Sequence, residues 1–314
     1  MKRRFKYLFG PVPSRRFGLS LGVDLTPFKT CTLNCVFCQL GRTTNQTTKR
    51  KEYVSAGAVK AELADWLDSG GKANYITLAG SGEPTLHSHF GDIIDFIHKY
   101  SKIPVALLTN GTTLHLPEVR KSARKADVVK VTLNSSDQKL FEYIHRPYPS
   151  ITYDLLIKGL LRFRAECKSQ IWLEVFLLGG VNATPEEARK ISRIVAKIKP
   201  DRVQLNTCVR PTAEDFAYAI SRRKLFELAR LFKPNAEVIA EYKGPGTGAF
   251  HAGAEDILNM LRRRPCTAAQ IAEVSGMHLN EVSKYTGKLT RVGQVRVSHE
   301  GGVAFYSAAR KKTK

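Results

Sequence analysis

Short apolar runs alternate with amphipathic segments through most of the chain. Runs such as YITLAG, at 75–80, are brief, nearly continuously apolar and closed by turn residues, which is the pattern of strands buried on both faces. Between the runs, apolar residues recur at helical spacing, as Val59, Leu63 and Trp66 do. The predicted strands are 19–26, 75–80, 104–111, 128–134, 171–180 and 202–208. The predicted helices are 56–69, 88–100, 114–125, 152–166, 184–198 and 214–231.

About six βα units in succession predict an α/β fold with a parallel sheet covered by helices. Two architectures fit this pattern, a partial (β/α)6 TIM-type barrel and an open doubly wound sheet. In both, ligands bind at the carboxyl ends of the strands. Those ends carry polar segments here: a cysteine-containing loop, GSGEPT, TNGTT, NSSD, GGVN and NTCVRPT. We therefore expect a functional site on this rim.

The alternation stops after residue 242. Residues 243–253 are rich in glycine and are predicted to form a linker between two domains, 1–242 and 254–314. Three helices and a hairpin are predicted to follow, at 255–265, 267–276, 278–295 and 295–308. This order is the outline of a small winged helix-turn-helix domain, a module that binds DNA, RNA or proteins.

The chain is strongly basic, with 50 Lys and Arg residues against 28 Asp and Glu and a net charge of +22. Residues 1–55 hold 11 basic and 2 acidic residues, and residues 254–314 hold 11 and 5, so both ends are denser in positive charge than the middle. This favours a polyanionic partner, first of all nucleic acid (tRNA or DNA), although solvated lysine and arginine faces produce the same count. The candidate contacts in the predicted recognition helix are Asn280, Ser283, Lys284, Lys288 and Arg291.

Hydrophobic residues make up 43% of the 314 positions, enough for a sizeable core. No apolar run approaches the roughly 18 residues of a transmembrane helix. The apolar part of the N-terminal segment is too short for a signal peptide. These features predict a cytoplasmic protein without a membrane partner, and they argue against a disulfide framework for the six cysteines.

Three of the cysteines, Cys31, Cys35 and Cys38, form a C-x3-C-x2-C motif in a polar loop after the first predicted strand. An odd cluster is a poor disulfide candidate, and structural zinc needs a fourth ligand that the nearby sequence does not supply. A redox or nucleophilic site would need only one or two thiols. An iron–sulfur cluster normally takes four thiolates, so three would leave one iron open to another ligand. A zinc site completed by a distant residue stays open as an alternative.

The other three cysteines are isolated in the sequence. Cys167 falls on a predicted helix and Cys266 lies outside the barrel, so both are expected to be structural. Cys208 ends the sixth predicted strand on the rim, from which it could approach the site.

The cysteine motif, with Phe37 just before its third cysteine and a barrel strand before its first, resembles that of the radical S-adenosylmethionine (radical SAM) superfamily. The longer stretch GPVPSRRFGLSLGVDLTPFKTCTLNCVFCQLGRT is similar to a branch of predicted Fe–S oxidoreductases related to the wyosine-type tRNA base-forming enzymes. The resemblance covers roughly residues 8–240. Wyosine-type enzymes carry an additional cysteine cluster before the motif, whereas no cysteine precedes Cys31 here.

The resemblance implies a cofactor and a reaction. Cys31, Cys35 and Cys38 would hold three irons of a [4Fe–4S] cluster, and the fourth iron would take the amino and carboxylate groups of SAM. An electron from a low-potential donor would split SAM into methionine and a 5′-deoxyadenosyl radical, which abstracts hydrogen from an unknown substrate.

The resemblance also implies contacts to SAM. Gly82 and Glu83, in the GSGEP segment, match the part of the family that receives the methionine amino group. The other implied contacts are Phe37 near the adenine, Asn134 and Ser136 after the fourth strand, and Glu174, Asn206 and Arg210 for the ribose or carboxylate. Three of these have simpler interpretations: Glu83 as a turn residue, Glu174 as the ion-pair partner of a buried arginine, and Arg210 as a helix cap. Arg15 and Arg16 face either a substrate phosphate or solvent.

Three functions follow from these features. The first is a radical SAM enzyme acting on an unknown substrate, with RNA or a nucleotide favoured by the charge. The second is a radical SAM activase or modifier of a protein partner. The third belongs to another class, a metal-sensing winged-helix transcriptional regulator.

Overall fold

The structure, a computed structural model, describes residues 5–239, 254–300 and 302–309. Its strands are β1 (Leu8–Ser14), β2 (Gly18–Val23), β3 (Thr30–Cys31), β4 (Asn45–Gln46), β5 (Tyr75–Leu78), β6 (Val105–Thr109), β7 (Val128–Thr132), β8 (Gln170–Leu177), β9 (Arg202–Thr207), β10 (Glu237–Val238), β11 (Val295–Glu300) and β12 (Val303–Ala308). Its helices are α1 (Ala56–Asp68), α2 (Phe90–Tyr100), α3 (Pro117–Ala123), α4 (Gln138–His145), α5 (Tyr153–Glu166), α6 (Pro185–Ile198), α7 (Arg222–Ala229), α8 (Ala254–Arg263), α9 (Ala268–Ser275) and α10 (Leu279–Arg291), with a 3-10 turn at Pro84–Leu86.

Eight strands form one sheet in the order β1-β2-β5-β6-β7-β8-β9-β10. Neighbouring strands are parallel except β1 and β2, which pair antiparallel. The order follows the chain, whereas a doubly wound sheet reverses its strand order partway. Because βα crossovers are right-handed, a sequential order places the helices on one face and curls the sheet into an incomplete barrel. The predicted α/β fold is confirmed, and of its two architectures the strand order supports the partial barrel.

The edge of the sheet contains a strand, β1, that the apolar pattern does not predict. Its Pro11 is tolerated because an edge strand need not donate every backbone N–H. Gly22 of β2 lies opposite Phe9, and a Cβ atom at position 22 would approach the phenylalanine ring to 2.0 Å. Glycine at this position therefore lets the Phe9 ring lie across the sheet.

An apolar layer closes the concave side of the sheet near the amino ends of the strands. Phe17 is 3% exposed, and its ring lies 5.1 Å from that of Trp172 and 5.0 Å from that of Tyr75. Beyond this layer the concave face turns polar, and the hydroxyl groups of Ser20 and Thr77 lie 2.5 Å apart. The interior of the barrel is thus plugged at one end and polar further along.

The prediction of one long helix over 214–231 is wrong, because only α7 is helical there. The N–H of Glu214 donates to the carbonyl of Val36, and its carboxylate accepts from Arg42 and Arg146. These contacts tie the segment to the cysteine loop in place of a helix. Conversely, α4 is a helix that the sequence pattern misses.

Three helices and a hairpin form the C-terminal module, residues 254–309. β11 and β12 pair antiparallel, so the predicted hairpin is confirmed. The module has its own apolar core, which includes Ile257, Ile271 and the buried Cys266. The predicted linker, 243–253, and the basic tail, 310–314, lie outside the described residues.

The C-terminal module packs against the edge of the barrel. Arg263 of α8 donates to the carbonyl of Lys6 at 3.3 Å, and its guanidinium lies 4.7 Å from the centre of the Phe9 ring. On α10 the five predicted contact residues are all exposed. Among the described residues, none of the helices combines the length and the apolar character needed to cross a bilayer.

Candidate active site

The cysteine loop, residues 31–38, lies at the carboxyl ends of the strands. On one side the N–H of Glu83 donates to the carbonyl of Thr30 at 3.0 Å, which joins the loop to the segment after β5. On the other side the N–H of Val36 donates to the carbonyl of Ile144 at 3.0 Å, at the end of α4. Backbone contacts from two directions therefore hold the three cysteines in place.

Each cysteine sulfur has a nitrogen beside it. The pairs are Lys29 Nζ and Cys38 Sγ at 3.1 Å, His145 Nδ1 and Cys35 Sγ at 3.2 Å, and Asn110 Nδ2 and Cys31 Sγ at 3.5 Å. Burial lowers the pKa of His145 to about 3, so its ring is neutral near pH 7. Lys29 and Asn110 direct N–H groups at their sulfurs, which favours the thiolate over the thiol, and His145 does so in the tautomer that carries its proton on Nδ1. Lys29 and His145 are functional candidates that the sequence reasoning misses, and the motif itself contains no signal for His145.

Burial acts on the thiols in the opposite direction. It raises the pKa of Cys31 to about 12, to which the charge of Glu83 adds, and it raises the pKa of Cys35 well above its usual value. Such thiols ionise when a bound cation compensates for the lost hydration, so the sulfur set suits a soft metal centre. Within the described parts of the chain, no three His, Cys, Asp or Glu side chains converge where one metal ion would sit.

Gly82 lies directly against the cysteine loop. A Cβ atom at this position would be 1.9 Å from the carbonyl oxygen of Thr30, closer than any side chain permits. The close backbone approach thus requires glycine, and it explains why this segment can pack beside the cysteines.

Glu83 is 2% exposed, and its carboxylate is surrounded by donors. They are the N–H of Thr85 at 3.1 Å, the hydroxyl of Thr85 at 2.5 Å, the hydroxyl of Thr109 at 2.6 Å and the N–H of Asn110 at 2.8 Å. Burial raises the pKa of Glu83, and these hydrogen bonds oppose that rise. Glu83 therefore joins the segment after β5 to the end of β6, a larger role than that of a turn residue.

The segment after β7 leaves two buried polar atoms without a hydrogen-bond partner, Nδ2 of Asn134 and the hydroxyl of Ser135. The Oδ1 atom of Asn134 accepts from the N–H of Phe176 at 2.6 Å, which fixes the amide. Ser136 instead donates to Glu187 at 2.9 Å. Buried polar groups in proteins are generally satisfied, so Asn134 and Ser135 have binding capacity left for a ligand.

Glu174 lies inside the barrel between two cations. Its carboxylate pairs with Arg16 and with Lys130, and it accepts from Asn206 Nδ2 at 2.9 Å. The predicted pairing of Glu174 with a buried arginine is confirmed. Lys130 is a further residue that the sequence reasoning misses, and the signal for it was a single charge within the apolar strand VVKVT.

Phe37 packs within the protein beside the cysteine loop. Its ring centre lies 4.5 Å from that of Phe176 in a stacked arrangement and 5.7 Å from that of His145. Cys208 is buried in the same apolar cluster, together with Val36. Cys208 therefore has a packing role in this apolar cluster.

A cavity of 1010 Å³ opens beside the cysteine loop. Gln39 and Gly82 line it on the loop side. Arg210 also lines it, and its Nη1 atom donates to Gln39 Oε1 at 3.0 Å. Because no helix begins after Arg210, the prediction of a helix cap there is wrong.

The structure thus brings the predicted residues together in part. Gly82 and Glu83 contact Thr30, the residue before Cys31, whereas Glu174 and Asn206 form a separate group in the barrel interior. This combination defines a class of protein: an incomplete α/β barrel with a thiol-bearing loop at the carboxyl ends of its strands, next to a large cavity.

Comparison with known proteins identifies the family. Residues 25–195, more than half of the chain, match the Radical SAM superfamily. The chain therefore belongs to the radical SAM superfamily and is an enzyme of it. Members of this superfamily bind a [4Fe–4S] cluster and SAM.

The proteins that are similar to the chain include the following three relatives and one solved structure. It is 38% identical over 312 residues to "GTPase Obg" of Brachyspira hyodysenteriae, a match that covers 98% of this chain and 46% of that protein, about half its length. It is 28% identical to "UPF0026 protein MJ1312" of Methanocaldococcus jannaschii, covering 98% and 97%. It is 26% identical to "Probable dual-specificity RNA methyltransferase RlmN" of Chlorobaculum tepidum, covering 54% and 46%. The structure of a radical SAM methyltransferase from Sphaerobacter thermophilus shares the fold, with a TM-score of 0.55, 18% identity and coverage of 70% and 65%.

Proposed function

We propose that Cys31, Cys35 and Cys38 hold a [4Fe–4S] cluster in this enzyme and that SAM binds beside them. When bound, this pair of cofactors supplies one-electron chemistry: an electron from a low-potential donor cleaves SAM to methionine and a 5′-deoxyadenosyl radical, which abstracts hydrogen from the substrate. The observation that carries the proposal is the nitrogen beside each sulfur, contributed by Lys29, His145 and Asn110. Hydrogen bonds to sulfur are one of the means by which a protein tunes such a centre.

The residues around the cysteine loop have different roles in binding SAM. Asn134 and Ser135 have unused hydrogen-bonding atoms and are the contacts we favour, with Ser136 beside them. Gly82 supplies the close backbone approach. Glu83 acts mainly by positioning its segment, because four donors already engage its carboxylate. Phe37 shields one side of the loop from water.

Two further residues predicted to contact SAM receive other roles. Glu174 pairs with Arg16 and Lys130 and accepts from Asn206, so Glu174 and Asn206 act by holding charged groups together in the barrel interior. Arg210 lines the cavity with four other arginines and donates to Gln39.

For the substrate we favour RNA or a nucleotide over a protein. The support is the net charge of +22 and the similarity of about half of the chain to a protein named as a probable RNA methyltransferase. The C-terminal module, interpreted as a winged helix, would present α10 to a polyanion in a cytoplasmic setting. The metal-sensing alternative has less support, because a sensor does not need a cavity as large as the one beside the cysteine loop.

Anaerobically reconstituted protein tests the proposal. We expect bound iron and sulfide, and release of 5′-deoxyadenosine from SAM on reduction. Alanine replacement of Cys31, Cys35 or Cys38 should abolish both, whereas Cys167→Ala, at a buried cysteine outside the loop, should preserve both. Zinc in place of iron, or cluster loss in the Cys167 variant alone, would overturn the assignment.

A further inference from the structure

The 1010 Å³ cavity has walls from three separate parts of the chain. Ser20 and Thr77 line it from the interior of the barrel, Phe9 from the edge strand β1, and Asn259 from α8 of the C-terminal module. Ligand pockets for small molecules typically measure about 300–1,000 Å³, so the space is large enough for a molecule of nucleotide size. The C-terminal module therefore forms part of the cavity wall and packs against the barrel.

Five arginines line this cavity, from both domains: Arg15, Arg16, Arg210, Arg263 and Arg264. Among its described lining residues Glu255 is the one carboxylate, and it pairs with Arg262 at 2.9 Å. Of the five, Arg16 is balanced by Glu174. The charges of Asp24 and Glu62 act on Arg263, and that of Glu273 acts on Arg264, although none of these three carboxylates lines the cavity. The described lining therefore carries more arginines than carboxylates.

Two of the arginines keep unused hydrogen-bonding atoms. The Nε atoms of Arg210 and Arg263 are buried and have no partner. Within the part of the chain that the structure describes, no carboxylate lies within ion-pair distance of Arg210 or Arg264. A buried donor without a partner costs free energy, which an arriving acceptor would recover.

The arginines also act on one another. Burial, followed by the charges of Arg264 and Arg15, lowers the pKa of Arg210 to about 10. Burial, followed by Arg15 and Arg210, lowers the pKa of Arg16 to about 9. These groups are therefore close enough to repel each other across the cavity. An anion between them would turn that repulsion into attraction.

We propose that the cavity binds a phosphorylated substrate of nucleotide size, whose phosphate is held by Arg210 and Arg264 between the barrel and the C-terminal module. Guanidinium groups fit a phosphate because their planar N–H donors match two of its oxygens at once. The organic part of the substrate extends into the barrel towards the cysteine loop, along the wall that contains Gln39 and Gly82. A walled cavity favours a free nucleotide over an RNA strand, which would need an open groove. That the bound molecule is the substrate rests on the proposed function.

The test uses the full-length protein and isothermal titration calorimetry. The four ribonucleoside 5′-monophosphates are titrated singly, with the corresponding nucleosides as controls for the phosphate. We expect at least one monophosphate to bind, and its nucleoside to bind at least about tenfold more weakly. Arg210→Gln and Arg264→Gln should each weaken binding roughly 10- to 100-fold, the loss for a charge-assisted hydrogen bond of about 1.5–3 kcal/mol.

Arg223→Gln is the matched control, because this α7 side chain is 91% exposed and lies outside the cavity. Its affinity for the monophosphate should equal that of the unaltered protein. Arg264→Lys is a second variant for the case in which Arg264→Gln does not fold. It keeps the positive charge and loses only the bidentate contact with the phosphate. The lysine variant should bind more weakly than arginine but remain sensitive to salt.

Several outcomes would overturn the inference. Nucleosides that bind as tightly as monophosphates would exclude a phosphate site, and so would arginine variants with unchanged affinity. An RNA oligonucleotide that binds in an Arg264-dependent way while no monophosphate binds would assign the cavity to RNA. Cleavage of SAM is measured on the same samples to separate the two proposals. Cleavage without phosphate binding refutes this inference alone, and phosphate binding without cleavage supports it while refuting the proposed function.

Discussion

Glu174 balances two buried cations inside the barrel, and its replacement by glutamine isolates that role. The side chain of Glu174 is 8% exposed, and those of Arg16 and Lys130 are 13% and 11% exposed. Glu174→Gln keeps the shape of the residue and its ability to accept a hydrogen bond from Asn206. It removes only the negative charge, so the two cations would be left without their counter-ion.

The size of the effect follows from this burial. Removal of one partner from a buried ion pair typically costs about 3–5 kcal/mol. Burial, followed by the charge of Arg16, lowers the pKa of Lys130 well below its usual value. Lys130 can therefore release its proton when Glu174 is lost, which offsets part of the cost, and we expect a loss of about 3 kcal/mol.

Lys130→Met is the matched comparison. It leaves Arg16 paired with Glu174, and it replaces a costly buried amine by an apolar side chain of similar length. Its effect on the free energy of unfolding should be about 1 kcal/mol or less. Urea unfolding of the cluster-free protein measures both variants, because the midpoint falls in proportion to the loss of stability when the slope is unchanged.

SAM cleavage measured in parallel separates two roles of Glu174. If Glu174→Gln unfolds at the same urea concentration as the unaltered protein but no longer cleaves SAM, Glu174 contacts the cofactor and the charge-balance argument is wrong. The same argument fails if Lys130→Met is the more destabilising change.

Two further predictions concern packing. Gly82→Ala places a Cβ 1.9 Å from the carbonyl oxygen of Thr30. We expect the free energy of unfolding to fall by about 1–3 kcal/mol in thermal unfolding, together with a reduced iron content. Gly57→Ala on α1 is the control, because its new Cβ meets nothing closer than 3.6 Å, and it should be neutral or stabilising. Equal behaviour of the two variants would contradict the close-approach argument. Phe17→Ala removes a ring that stacks on Trp172 at a centroid distance of 5.1 Å. We expect the free energy of unfolding, measured in urea, to fall by about 3–5 kcal/mol, and by clearly less for Phe17→Leu. A fall below about 1 kcal/mol in the alanine variant would show that the apolar layer does not depend on this ring.

The strands of the barrel were readable from the sequence because each is a short apolar run closed by turn residues. Burial on both faces removes the need for alternation, and that is the pattern which β5, β6 and β7 display. A prediction from local pattern was wrong over 214–231, where one long helix was expected and only α7 forms. There, contacts of Glu214 with Arg42 and Arg146 keep the chain out of a helix, and neither arginine is near Glu214 in the sequence.

Some residues of the candidate site could likewise be predicted from local sequence, and others could not. Cys31, Cys35 and Cys38 were identifiable because metal-binding thiols on one loop leave a signature in spacing alone. Their neighbour His145 was not, since it follows the last cysteine by more than 100 positions and only the return of the chain past the loop brings it to Cys35.

The sequence by itself determined the α/β class, the succession of βα units and the cysteine loop, because each depends on residues that are close along the chain, whereas the strand order within the sheet came from the structure. Only the tertiary structure decided which charges meet inside the barrel. Arg16 and Glu174 are 158 positions apart, and Lys130 and Glu174 are 44 apart. Their pairing depends on how β7 and β8 lie side by side and on where the turn before β2 directs Arg16. The physical reason is that electrostatic and hydrogen-bonding partners are chosen by distance in space, on which sequence spacing bears only within a single element.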